Sequence, residues 1–145
     1  MMGGHGYADG VNSGTSAIFA CLGALSLPPG SEVIVPAISD PGAAMPAALL
    51  NCVPVVADTT DYSYNTGVAE IERVISPRTG AIVVAHLAGE MADIENIVAL
   101  ADSYGIPVIE DCAQAHGAAW RDGRPAGSFG SLAAFSTMRG KHHAT

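Results

Sequence analysis

Val108-Ile109-Glu110-Asp111-Cys112-Ala113-Gln114-Ala115-His116-Gly117 runs from an apolar pair straight into two acids and then into a polar loop. A short apolar run closed by turn-forming residues reads as a buried strand over 108–111. Neighbouring side chains on a strand point to opposite faces, so Glu110 and Asp111 do not form a cooperating carboxylate pair. Asp111, at the strand's end, is the acid placed to reach a ligand crevice; the alternative for it is a capping or ion-paired carboxylate. Gln114 and His116 follow on the connecting loop, where polar groups orient ligands.

Working outward, β-branched runs at 32–36, 53–57 and 81–85 read as further strands, with a weaker one at 132–136. Helical patterns lie between them at 15–25, 42–50, 68–75 and 94–104. The last of these carries Ile94, Ile97, Val98 and Ala101 at near-helical spacing, with Asp93 as the expected N-cap and Gly105 as the stop. Strands that are apolar throughout and separated by helices imply an α/β fold: a mostly parallel sheet with helices on both faces. Ligands of such sheets bind beyond the carboxyl ends of the strands. That rule makes neighbours of residues 36–40, 86–89, 111–114 and 136–141. Arg121-Asp122-Gly123-Arg124 reads as a tight exposed turn of a small hairpin.

The chain has 145 residues, 49% of them hydrophobic and only 14% charged, enough apolar material for one domain with a substantial core. A net charge of −8, with six Lys and Arg that do not cluster, disfavours the basic footprint that nucleic-acid binding requires. No window approaches the roughly 18 uninterrupted apolar residues that span a bilayer, and Met1 to Gly6 lacks a signal-peptide pattern. Cys21, Cys52 and Cys112 form neither a C-x-x-C pair nor an even set, which points to a reducing cytoplasm.

Asn12-Ser13-Gly14-Thr15-Ser16 precedes an apolar helix, where free N–H groups, hydroxyls and the helix dipole suit a phosphate; a simple N-cap explains the same residues. Neither a Walker A loop nor the glycine fingerprint of a nicotinamide-binding module is present. Lys141 follows Gly140 and the apolar strand that ends in Phe135-Ser136. A lysine, an acid at a strand end and a phosphate cradle together fit pyridoxal phosphate, which a lysine holds as a Schiff base while an acid keeps its ring nitrogen protonated. His142 and His143, with His86 or His116, make a poor metal set, because adjacent histidines chelate one ion badly and no H-E-x-x-H spacing occurs.

Several motifs then occur in one order: Asn12-Ser13-Gly14-Thr15-Ser16-Ala17, Glu32-Val33-Ile34-Val35-Pro36-Ala37, Pro54-Val55-Val56-Ala57-Asp58, Ser76-Pro77-Arg78-Thr79, His86-Leu87-Ala88-Gly89, Ile109 to Gly117, Gly127-Ser128-Phe129-Gly130, and Phe135-Ser136 before Lys141. Together they resemble the DegT/DnrJ/EryC1/StrS family of sugar aminotransferases from about Asn12 to the end. The resemblance implies a fold type I, dimeric, pyridoxal-phosphate enzyme that aminates a keto group on a nucleotide-linked sugar, with glutamate as the usual donor. By position it makes Lys141 the Schiff-base lysine, Asp111 the partner of the pyridinium nitrogen, and Gln114 the neighbour of the phenolic oxygen. Gly14, Thr15 and Ser136 match the phosphate site, with Ser16 alongside.

Many members carry an aromatic residue where Asp40 stands here, within Ile38-Ser39-Asp40-Pro41. Family chains are also more than twice as long. Residues 1–145 are therefore expected to be part of the cofactor-binding large domain, without its C-terminal remainder or the small domain. Such a chain alone is expected to be catalytically silent and to aggregate through an unpaired sheet edge. The rival readings are a pyridoxal-phosphate sugar dehydratase, in which His replaces the lysine, and a non-catalytic truncated remnant.

Overall fold

A computed structural model describes residues 6–141 of the chain. Met1 to His5, and with them most of the segment read for a signal peptide, lie outside the described residues, as do His142 and His143 of the metal reading. The helices are α1 (Gly14–Ala24), α2 (Met45–Leu49), α3 (Val68–Glu72) and α4 (Ile94–Tyr104). The strands are β1 (Glu32–Pro36), β2 (Val53–Ala57), β3 (Thr79–Ala85), β4 (Val108–Asp111) and β5 (Leu132–Ala134). They form one five-stranded sheet in the order β2-β1-β3-β4-β5, with every neighbouring pair parallel. The α/β expectation holds.

Strand alternation sorts the core into two layers. Val33, Val35, Ala81, Val83, Ile109 and Ala134 face one side and pack with Ile18 and Leu22 of α1 and Ala47 of α2. Ile34, Ala57, Ile82, Val84 and Val108 face the other side, against Ile71 of α3 and Ile94, Ile97 and Ala101 of α4. Because Val108 and Ile109 serve opposite layers, Glu110 falls on the α4 side and Asp111 on the α1 side. Ile97 is fully buried in its layer. Truncation to alanine leaves a cavity and should cost about 2–5 kcal/mol, seen as a lower denaturant midpoint with an unchanged slope.

Some local details differ from the sequence reading; β3 begins at Thr79, two residues before the expected start. The helix expected at 42–50 is split into a 3-10 turn, Pro41–Ala43, and α2, because Pro46 has no N–H to bond back to the preceding turn. The helix expected to reach Ile75 ends at Glu72; Val74 N–H bonds in the tighter three-residue pattern to Ile71 C=O, and Pro77 drives Ser76 out of helical conformation. The last strand stops at Ala134 rather than Ser136. Its final ladder bond, Cys112 N–H to Ala134 C=O at 2.8 Å, is made just where β4 has run out. Asp93 takes the N-cap position of α4 as expected, its C=O accepting from Ile97 N–H at 3.0 Å, but its carboxylate accepts from the Asn96 side-chain amide at 2.9 and 3.0 Å and not from the helix N–H groups. Gly105, left-handed, closes α4 as expected. The Asp122-Gly123 turn is closed by Gly123 N–H to Trp120 C=O, and its hairpin amounts to a single antiparallel bridge between Ala119 and Pro125.

Candidate active site

The carboxyl ends of β1, β3, β4 and β5 bring distant parts of the chain together. Ser39, Asp40, His86, Leu87, Asp111, Ala113 and Gln114 line one small cleft. Lys141, the last described residue, enters from a turn closed by its own N–H to Met138 C=O at 2.9 Å. Its Nζ lies 4.0 Å from an Asp40 carboxylate oxygen. Asp40 is thus an acid paired with the lysine.

Two close backbone approaches join α1 to this cleft. A Cβ on Gly14 would lie 2.9 Å from the Ser136 Cβ, and one on Gly42 would lie 2.5 Å from the Thr15 hydroxyl oxygen. A side chain at Gly14 would push the start of α1 away from the end of β5, and one at Gly42 would displace the Thr15 hydroxyl. Ser13 caps the helix through Ser16 N–H at 3.0 Å, and the Ser16 hydroxyl is donated to Asn12 at 2.6 Å. The Ser16 donors are therefore spent on the cap, whereas the Gly14 and Thr15 N–H groups have no acceptor among the described residues. Ser136 is buried beside them, its hydroxyl oxygen accepting from Met138 N–H at 3.4 Å.

Asp111 sits in a different electrostatic setting. Burial pushes its carboxyl above the ordinary aspartate value; the Ala113 N–H and the Lys141 charge pull it down, while Asp40 pushes it up. A protonated heterocycle placed against it would relieve that burial penalty. Gln114 is held by accepting the Ala88 N–H at 3.1 Å. Ala88 itself is left-handed, with φ of 53°, a conformation that costs a non-glycine residue of order 1 kcal/mol or more. His116 packs against Phe135, with ring centroids 5.6 Å apart.

What the sequence reading missed is how Glu110 is used. His86 and Glu110 are both fully buried and joined, Nε2 to Oε2, at 3.0 Å. The Ala92 N–H donates to His86 Nδ1 at 3.1 Å, so the ring proton is on Nε2 and points at the carboxylate. Gly127, Phe129 and Gly130 N–H groups also donate to Glu110, at 2.9, 2.7 and 2.7 Å. Burial alone would raise this carboxyl, but the bonds from His86 and the three N–H groups outweigh it and hold it below the ordinary glutamate value. The available signal was an acid inside a strand that is apolar throughout, since a buried charge has to be paired. Cys112 completes a cluster whose ligand atoms lie within 4.8 Å of one another. It is no metal centre in this state: both His86 nitrogens and both Glu110 oxygens are committed, and burial pushes the Cys112 thiol far above its usual range.

An anion at the start of α1, a protonated ring nitrogen at Asp111 and a carbonyl carbon at Lys141 are the groups this arrangement can bind together. No helix among the described residues is long and apolar enough to cross a membrane. The sequence profile of the DegT/DnrJ/EryC1/StrS aminotransferase family matches residues 2–145. The chain is 43% identical over 144 residues to a UDP-N-acetyl-3-dehydro-alpha-D-glucosamine 3-aminotransferase of Acidithiobacillus ferrooxidans, covering 98% of this chain and 39% of that protein. It is 41% identical over 136 residues to an L-glutamine:2-deoxy-scyllo-inosose aminotransferase of Micromonospora echinospora, covering 94% of this chain and 32% of that one. The fold superposes on DesV of S. venezuelae, solved with a ketimine intermediate, with a TM-score of 0.88 and 37% identity over 92% of this chain and 36% of that chain. The chain therefore spans about a third of the length of the proteins it matches. Its sheet is that of fold type I pyridoxal-phosphate aminotransferases, and the chain belongs to the DegT/DnrJ/EryC1/StrS aminotransferase family.

Proposed function

We propose that this chain supplies the first part of the cofactor domain of a sugar aminotransferase, one that moves an amino group from an amino acid to a keto-sugar. The observation that carries this reading is the meeting of Lys141, Asp111, Ser136 and the free N–H groups of α1 at one end of the sheet. The family depends on pyridoxal 5′-phosphate. When bound, that cofactor supplies a ring able to accept the electrons of a bond broken beside an amino group.

These positions, with the family resemblance, support the following roles. Gly14 and Thr15 N–H groups, with the Ser136 hydroxyl, bind the phosphate at the positive end of α1, and Ser16 keeps that helix start in shape. Asp111 holds the proton at the ring nitrogen. Gln114, pinned by the Ala88 N–H, orients the ring through its phenolic oxygen. The Lys141 amine would hold the cofactor and would serve as the acid–base group at the substrate carbon. A lysine at this position, with a carboxylate beside it, favours amine transfer over the dehydratase reading.

The donor and acceptor belong to the same proposal. Glutamate is the donor the resemblance implies, while the name of the M. echinospora relative carries glutamine. A nucleotide-linked keto-sugar is the acceptor class, supported by the UDP-linked substrate named for the A. ferrooxidans relative. A cytoplasmic homodimer completes the reading; the three unpaired cysteines favour a reducing compartment.

The test is to express the complete gene product, add pyridoxal phosphate and follow visible absorbance, then supply each donor with a UDP-linked keto-sugar. A bound-cofactor band with amino-sugar product supports the reading; neither band nor product rejects it. Gly14→Ala is an independent check. Its methyl group meets Ser136 at the phosphate cradle, so cofactor affinity, measured by dialysis and absorbance, should fall by about tenfold or more, the equivalent of one lost hydrogen bond to a charged group.

A further inference from the structure

We propose that Glu110 is a positioning residue of the active site, tying the strand that carries Asp111 to the two loops that flank it. The inference rests on the functional reading above. The Glu110 carboxylate accepts four bonds: His86 Nε2–H and Gly127 N–H at Oε2, Phe129 N–H and Gly130 N–H at Oε1. Each of these donors leads to a piece of the site. His86 follows β3, and its other nitrogen accepts from Ala92, which folds residues 86–92 into a closed loop. That loop presents Leu87 to the cleft and donates the Ala88 N–H to Gln114.

Residues 127–130 lead straight into β5, whose pairing with β4 places Ile109 against Leu132, Glu110 against Ala133 and Asp111 against Ala134. Ser136 and Lys141 follow that register. A shift of the 127–130 loop would therefore be passed to the phosphate-site serine and to the lysine, while Asp111 stayed on its own strand. Glu110 touches neither the cleft nor Lys141; it acts by setting the distance between Asp111 on β4 and the groups that leave β5. Its adjacency to Asp111 has a physical logic, since the alternation of one strand sends the first acid into the scaffold and the second into the site.

Glu110→Gln turns one acceptor oxygen into an amide –NH2 facing donors, so at least one of the four bonds is lost and two donors are set against each other. In the complete gene product loaded with pyridoxal phosphate, kcat per bound cofactor should fall about 10²-fold, the scale of a 1 Å misplacement. The KM for the amino donor should change far less, and the visible circular dichroism of the bound cofactor should change. His86→Gln is the milder variant: it keeps a donor toward Glu110 but loses the acceptor for Ala92, and it should show the same dichroism change with a smaller loss of kcat. It decides the matter by the same readouts if Glu110→Gln does not fold. A purely structural role would lower the melting temperature and leave kcat per bound cofactor and the dichroism unchanged, which would overturn the proposal. Failure of the unsubstituted protein to take up cofactor would overturn the functional reading beneath it; normal uptake with unaffected variants would overturn this inference alone.

Discussion

Replacing Lys141 by alanine in the complete gene product is expected to lower turnover by about 10⁴-fold, the upper range for loss of a positioned acid–base group, while the fold survives. Both halves of that outcome follow from the position of the side chain. Its contact with Asp40 is long, at 4.0 Å, and although the Lys141 side chain is only 15% exposed the Asp40 side chain is 72% exposed, so solvent screens the pair. Such pairs contribute about 0–1 kcal/mol, so the melting temperature should move by a few degrees at most. Among the 145 residues Lys141 is the one lysine, so no other side-chain amine in this sequence can take the proposed role. Borohydride reduction of the loaded protein followed by peptide mapping should find the cofactor mass on Lys141. A label on another residue, or an alanine variant that turns over normally, would reject the assignment.

The second large effect is expected at Asp111, where activity and stability should move in opposite directions. Asp111→Asn removes the charge that holds the proton on the cofactor ring, and loss of one pre-organised electrostatic contact of this kind costs about 10²–10³-fold in kcat. In the cofactor-free protein the sign reverses. Burial holds the Asp111 carboxyl above its ordinary value, so the folded chain binds this proton more tightly than the unfolded one. Stability is then lost as pH rises from the unfolded value, about 3.9, through the higher folded value. At neutral pH the full penalty is present, and asparagine relieves it. The cofactor-free variant should melt at a higher temperature than the parent at neutral pH, and the gain should vanish as pH falls below the unfolded value. A variant less stable than the parent at neutral pH without cofactor would show that Asp111 is satisfied by its neighbours and not strained by burial.

Much of the architecture was legible in the residues because it depends on local pattern. Apolar runs such as Val33-Ile34-Val35 and Ile82-Val83-Val84 must be buried on both faces, and that alone demands helices on either side of a parallel sheet. The spacing of Ile94, Ile97 and Ala101 defined α4 correctly, and Gly105 ended it. Chemistry at strand ends followed from the same logic, since Asp111 and Ser136 leave neighbouring strands on the side of the sheet where α1 begins. The boundaries that failed did so where a proline or a missing partner decided: Pro46 splits the helix expected at 42–50, Pro77 ends the one expected to reach Ile75, and β5 stops where its partner strand ends.

The charge partnerships lay beyond reach of pattern. Nothing in the spacing of His86 and Glu110, 24 residues apart, reveals that one donates to the other, because that contact exists only once β3 and β4 are paired in register. The approach of Gly14 to Ser136 likewise spans most of the chain and depends on how α1 packs across the sheet. Residue identities along the chain set which segments become strands, which faces are apolar and which groups can carry charge, because each of these depends on near neighbours. Which buried acid is paired, and which is left to meet a ligand, depends on long-range registry and on desolvation, and both come into being only when the strands close into one sheet.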